Sequence, residues 1–164
     1  MTLDDLNAVG RQEFADRLGG VAEGSPWVAE RAWSEGPFAG VDEVADAFRR
    51  AINSASKEWQ LGLIRAHPDL EGRLERLSPE SASEQSSAGL DRLSADQRDE
   101  LIRLNAAYRE RFGFPFVICA REHTAASIVT ACRERLGHEA IEERRTALAE
   151  IGKIVRLRLA DLLA

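Results

Sequence analysis

The chain has 164 residues and a formal net charge of −6, with 22 Lys and Arg against 28 Asp and Glu. That length suffices for one domain, 1–164, with a sizeable core, and the acidic balance argues against the basic face of a nucleic-acid partner. No apolar run reaches the roughly 20 residues of a membrane span, and the acidic opening MTLDDLNAVGRQEF has neither the bases nor the apolar stretch of a signal peptide.

In chain order, Gly19-Gly20 reads as a helix stop, and Ser25-Pro26 as a capping serine ahead of a proline suited to the first helical turn. In VDEVADAFRRAI, Val41, Val44, Ala45, Phe48 and Ile52 share one helical face. LIRAHPDLEG then runs an apolar helix into His67, where Pro68 disfavours the α conformation of the residue before it. Ser78-Pro79 repeats the serine-proline start, and Ser94-Ala95-Asp96-Gln97 reads as a capping box. Leu101, Leu104, Tyr108 and Phe112 form the next apolar face. Gly137 is a further stop, and from about Glu139 to the end Ile141, Leu148, Ile151, Val155 and Leu162 lie on one stripe. FGFPFVICA breaks the pattern, being apolar at nearly every position without a helical face. Gly113 and Pro115 disfavour a helix there, and Val117 and Ile118 are β-branched. The expectation is an all-α, single-domain bundle of about eight or nine helices, with one buried extended segment near 113–120. The backbone amides of that segment need partners, from a helix end, water or a ligand.

Three features suit chemistry. A helix C-terminus favours a protonated imidazole, so His67 is either a cap on the helix carbonyls or a proton donor. SPESASEQSSAGL has two parsings. With Ser81 as N-cap, Ser81 and Glu84 form an ordinary capping box. With Ser78 as N-cap, the stronger start signal, Ser81, Glu84, Gln85 and Ala88 share one face at i, i+3, i+4 and i+7, a polar face suited to a ligand. Arg121, directly after the apolar run, can pair with a carboxylate of the protein, such as Glu122, or of a substrate. His123 and His138 read as solvated. His67, Glu84 and His123 match no compact ligand pattern, so no metal is expected. Cys119 and Cys132 lack CxxC spacing and sit among apolar residues as small buried hydrophobes, which points to a reducing, cytoplasmic setting and against a thiol peroxidase.

HPDL at 67–70, SxxEQxxAGL at 81–90, LNxxYxERFGFPFVICAR at 104–121 and W-x3-PF from Trp33 together resemble the 2-oxo-4-hydroxy-4-carboxy-5-ureidoimidazoline (OHCU) decarboxylase family, over nearly the whole chain. The resemblance implies an all-helical, cofactor-independent carboxy-lyase of urate degradation that yields (S)-allantoin and is a homodimer. It implies that His67 is the catalytic proton donor and that Pro68 contacts substrate. Ser81, Glu84 and Gln85 match its substrate-binding run, with Glu84 placed to orient His67 or take a substrate proton. Phe116, Val117, Ile118, Cys119 and Ala120 match a segment that binds substrate through its backbone, and Arg121 adjoins it. The chain departs from the family after Asp69, where it has LEGRLERL, and it lacks the peroxisomal C-terminal signal of some members. A different class of reading is a non-catalytic helical adaptor, with FGFPFVICA as a hydrophobic anchor for a partner helix.

Overall fold

A computed structural model describes residues 1–70 and 77–164, so most of LEGRLERL lies outside the described residues. Among the described residues there are nine α-helices and no strand. They are α1 (Leu3–Asn7), α2 (Arg11–Leu18), α3 (Trp27–Trp33), α4 (Val41–Asn53), α5 (Lys57–Arg65), α6 (Pro79–Ser87), α7 (Ala95–Phe112), α8 (Ala125–Arg135) and α9 (Ala140–Leu162). Backbone contacts divide the chain into two compact units, residues 1–66 with 151–164, and residues 67–150.

In the first unit α3 packs against both α2 and α4. The face expected of α4 is the buried one, with Val44, Ala45, Phe48 and Ile52 all in the core. Asn7 braces the connection before α4 by exchanging two hydrogen bonds of 2.8 Å with the backbone of Phe38, whose ring lies 6.1 Å from that of Phe14. Trp33 of the W-x3-PF pattern donates its indole N–H to the Val9 carbonyl, which gives that pattern a structural task. Arg156 bridges from α9 to Asp42 and Asp46 of α4 at 2.5 and 2.9 Å.

In the second unit α7 packs against α8, and α6 packs against a 3-10 turn at Ala120–Glu122. Ser78 caps α6 by accepting from the Ser81 amide, with Pro79 in the first turn, so the second parsing of SPESASEQSSAGL holds. Ser94 and Gln97 form the expected capping box on α7. Gly113 ends α7 at φ 77°, a left-handed value that favours glycine.

Two local readings are corrected. Ser25 does not cap α3, because its hydroxyl donates back to the Glu23 carbonyl and Pro26 takes the cap position. Ile141 and Leu162 are exposed rather than on the core stripe of α9. They sit in the first and last turns of a 23-residue helix, while Leu148, Ile151 and Val155 between them are buried.

Candidate active site

Every residue singled out between positions 67 and 121 falls in the second unit. Helix α5 ends at Arg65 with Ala66 as its C-cap, and His67 is the next residue along the chain. His67 is buried, 5% exposed. Pro68 and Asp69 are half-buried and Leu70 is buried.

The segment after His67 is tethered by side chains from two helices. Gln85 of α6 donates from Nε2 to the Asp69 carbonyl at 3.3 Å. Asn105 of α7 donates from Nδ2 to the Leu70 carbonyl at 3.0 Å. Arg109, one turn further along α7, pairs with the Asp69 carboxylate at 3.0 Å. The first two bonds fix consecutive carbonyls, which restrains the backbone directly after the imidazole.

On α6 the buried positions are Ser81, Glu84, Gln85 and the C-cap Ala88, the face the second parsing selects. A hydroxyl, a carboxylate and an amide on a buried face are costly unless partnered. The placement therefore differs from that of a solvated capping-box glutamate, which would point to water.

The third component is the strip from Phe114 to Ala120, buried at every position and without regular structure over 115–119. Phe114 and Phe116, two residues apart, both meet the Tyr108 ring, at 5.9 and 5.3 Å. That period of two is the mark of an extended backbone. Arg135 of α8 stacks over Phe116 at 4.5 Å and donates to the Val117 carbonyl at 2.7 Å. The same guanidinium pairs with Glu143 of α9 at 2.7 Å, and Glu143, wholly buried, accepts from the Tyr108 hydroxyl at 2.5 Å. Burial, and then the bond to Glu143, push the Tyr108 hydroxyl well above the usual tyrosine range, so it stays a neutral donor. The strip thus hangs on a buried polar network whose members lie on three helices. The Cys119 amide donates to the Glu150 carboxylate at 3.4 Å.

The burial of α6's polar face, its bond to Asp69 and its packing on the Ala120–Glu122 turn bring the His67 segment, the 81–85 face and the end of the 116–120 strip into one neighbourhood. Arg121 is exposed, outside the buried set. His123 and His138, read as solvated, keep part of their surface exposed and each also takes a side-chain partner. Both are half-buried, His123 hydrogen-bonded to Ser127 at 3.0 Å and His138 to Glu143 at 2.9 Å. Both cysteines are free and buried, as expected. Among the described residues no three His, Cys, Asp or Glu groups gather as metal ligands.

Asn105, Arg109, Arg135 and Glu143 were not singled out from sequence. A signal existed for Asn105: on α7 it interrupts the apolar face of Leu101, Tyr108 and Phe112, and a polar residue on a buried stripe is the informative exception. Arg135 and Glu143 lie among other charged residues, where nothing local marks them as buried.

The family model for OHCU decarboxylase matches residues 7–160. The chain is 47% identical to the 2-oxo-4-hydroxy-4-carboxy-5-ureidoimidazoline decarboxylase of Haloferax volcanii, over 98% of this chain and 95% of that one. It is 43% identical to the mouse protein of that name, over 99% and 93%. Among solved structures, an (S)-allantoin synthase superposes with a TM-score of 0.80 at 29% identity, covering all of this chain and 54% of that one. An OHCU decarboxylase crystallised in the presence of (S)-allantoin superposes with a TM-score of 0.72 at 31% identity, covering 93% and 98%.

Proposed function

The chain belongs to the OHCU decarboxylase family, and we propose that it removes carbon dioxide from 2-oxo-4-hydroxy-4-carboxy-5-ureidoimidazoline to give (S)-allantoin in urate degradation, as a cofactor-independent carboxy-lyase. The structural observation that supports this reading is the convergence, in one unit, of the buried His67, the buried polar face of α6 and the buried extended strip. An adaptor anchor would need the apolar strip accessible to its partner, whereas Phe114 to Ala120 are buried.

The substrate carries a carboxylate and a hydroxyl on one ring carbon, beside a ring imine. When the bond to the carboxylate breaks, its electron pair forms a double bond between the two ring carbons, and the imine nitrogen takes the displaced pair and a proton. Carbon dioxide leaves. The resulting enol is protonated on one face of the neighbouring carbon while the hydroxyl proton is lost, which gives the ring carbonyl of allantoin. The substrate supplies its own electron sink. The protein's tasks are orientation, proton supply and choice of face.

In this reading His67 is the proton donor, and Glu84 orients it or accepts the hydroxyl proton. Ser81, Gln85 and the backbone of Phe116, Val117, Ile118, Cys119 and Ala120 hold the planar donor and acceptor edges of the substrate. Pro68 borders the ring and Arg121 lies at the rim. An apolar wall beside the departing carboxylate favours neutral carbon dioxide over the charged ground state.

We further infer that residues 1–164 act as one domain, in line with a family model that runs through 7–160, and that the protein is a cytoplasmic homodimer. The surface at Trp59, with Trp27 edge-on at 5.1 Å and Arg31 over both rings, has the aromatic and arginine composition of an interface. Light scattering gives the mass in solution.

A coupled assay tests the activity. Substrate is generated fresh from urate with uricase and the following hydrolase, this protein is added, and circular dichroism follows optically active allantoin. A burst of (S)-allantoin is expected. Optically inactive product at the background rate would overturn the reading.

A further inference from the structure

Asn105 and Gln85 are in matching situations. Each is an amide from a different helix, 5% and 2% exposed, and each donates its nitrogen to one of two consecutive carbonyls, Leu70 and Asp69. Each then has a buried carbonyl oxygen, Oδ1 of Asn105 and Oε1 of Gln85, that no donor among the described residues reaches. Flipping either amide does not remedy this, because it would set oxygen against a backbone carbonyl. The backbone therefore fixes which atom of each amide is left over, and in both cases it is the acceptor.

A buried acceptor without a donor leaves its desolvation uncompensated, and native structures hold few of them. Here two occur, on amides from two helices anchored to the consecutive carbonyls of Asp69 and Leu70, two and three residues after His67. Leucine in place of Asn105 would complete the apolar face of α7 and remove the unpartnered Oδ1, while taking the donor from the Leu70 carbonyl. The pair makes sense as half of a recognition site whose other half arrives with a ligand carrying two N–H donors in one plane. A ureido group, –NH–CO–NH2, is such a donor set, and the substrate proposed above carries one.

We propose that Asn105 is a substrate-recognition residue. Its Oδ1 accepts a hydrogen bond from the ureido arm, while its Nδ2 holds the Leu70 carbonyl and so orients the acceptor. This assignment rests on the decarboxylase reading and adds to it a residue that discriminates the ureido arm from the ring.

Two ligands separate the arm from the ring: (S)-allantoin has both, and hydantoin has the ring alone. Their dissociation constants are measured calorimetrically for the wild type, Asn105→Leu and Asn105→Ala, with turnover of freshly generated substrate alongside and circular dichroism and Tm as checks of fold. For the variants the expected result is at least tenfold weaker (S)-allantoin binding with hydantoin binding changed less than twofold, and a KM raised at least tenfold with kcat within about threefold. The alanine variant carries the test if the leucine variant does not fold. Equal weakening of both ligands would make Asn105 a purely structural tether, and unchanged binding of both would remove it from the site. Either result overturns the assignment. Failure of the decarboxylase reading looks different: the wild type itself would neither accelerate formation of (S)-allantoin nor prefer it to hydantoin.

Discussion

Arg135 donates to the carbonyl of Val117 at 2.7 Å across 18 residues of chain, and both are buried. The guanidinium is neutralised by Glu143, which also holds Tyr108 and His138. A buried pair broken from one side leaves the other charge uncompensated, at a cost of roughly 3–5 kcal/mol. Arg135→Met should therefore lower unfolding stability by about that much in urea titrations. It should also raise KM, because the Val117 strip loses its anchor. A stability loss below about 1 kcal/mol would show that the network is peripheral.

His67→Asn keeps a polar side chain of smaller size at a buried position. Its far-ultraviolet circular dichroism should match the wild type, and kcat should fall by roughly 10²-fold or more, as for loss of a general acid. Turnover near the wild-type rate in a folded variant would take His67 out of the mechanism.

Glu84 is buried on α6, while Ser78 alone among its neighbours takes the cap position. Glu84→Gln preserves shape and removes charge. The expected outcome is a Tm close to wild type with kcat lowered roughly 10²-fold. A reduced Tm with unchanged kcat would make the carboxylate structural.

Alkaline pH should destabilise the fold. Burial pushes the Cys132 thiol up from 9.0 to about 11, and burial first raises Tyr108 above its ordinary 10.0. Both groups are neutral when protonated, and the folded state holds the proton more tightly than the unfolded chain. Their contribution is therefore complete below about pH 9 and is lost as pH rises through the folded values. Thermal unfolding from pH 7 to 11 should show Tm declining above about pH 9, and Cys132→Ala should flatten the decline between 9 and 11. An unaltered slope in that variant would exclude the thiol as a contributor.

Dialysis against a strong chelator should leave turnover unchanged, since the substrate's imine takes the electrons and no ligand cluster occurs among the described residues. Restoration of a lost activity by one added divalent metal would contradict this.

Local physics was readable from the sequence. A side-chain cap and a proline act within four residues, so Ser78-Pro79 and the Ser94–Gln97 box announced their helices, and the cap on Ser78 released Ser81, Glu84 and Gln85 to form a buried face. FGFPFVICA announced a buried extended strip because its glycine, proline and unbroken apolarity leave no helical face. The family strings named His67 and its neighbours as candidates. Other features were settled only by tertiary contacts. Ser25 had the same local signal as Ser78, yet its hydroxyl turned back to Glu23. Ile141 and Leu162 fit the periodicity of α9 but lie in its end turns, where they are exposed. Asn105 meets Leu70 across 35 residues and Tyr108 meets Glu143 across 35. A helical period specifies which residues share a face. It does not specify what that face meets, because a hydrogen bond between distant segments depends on how separate helices pack, and no local propensity encodes it.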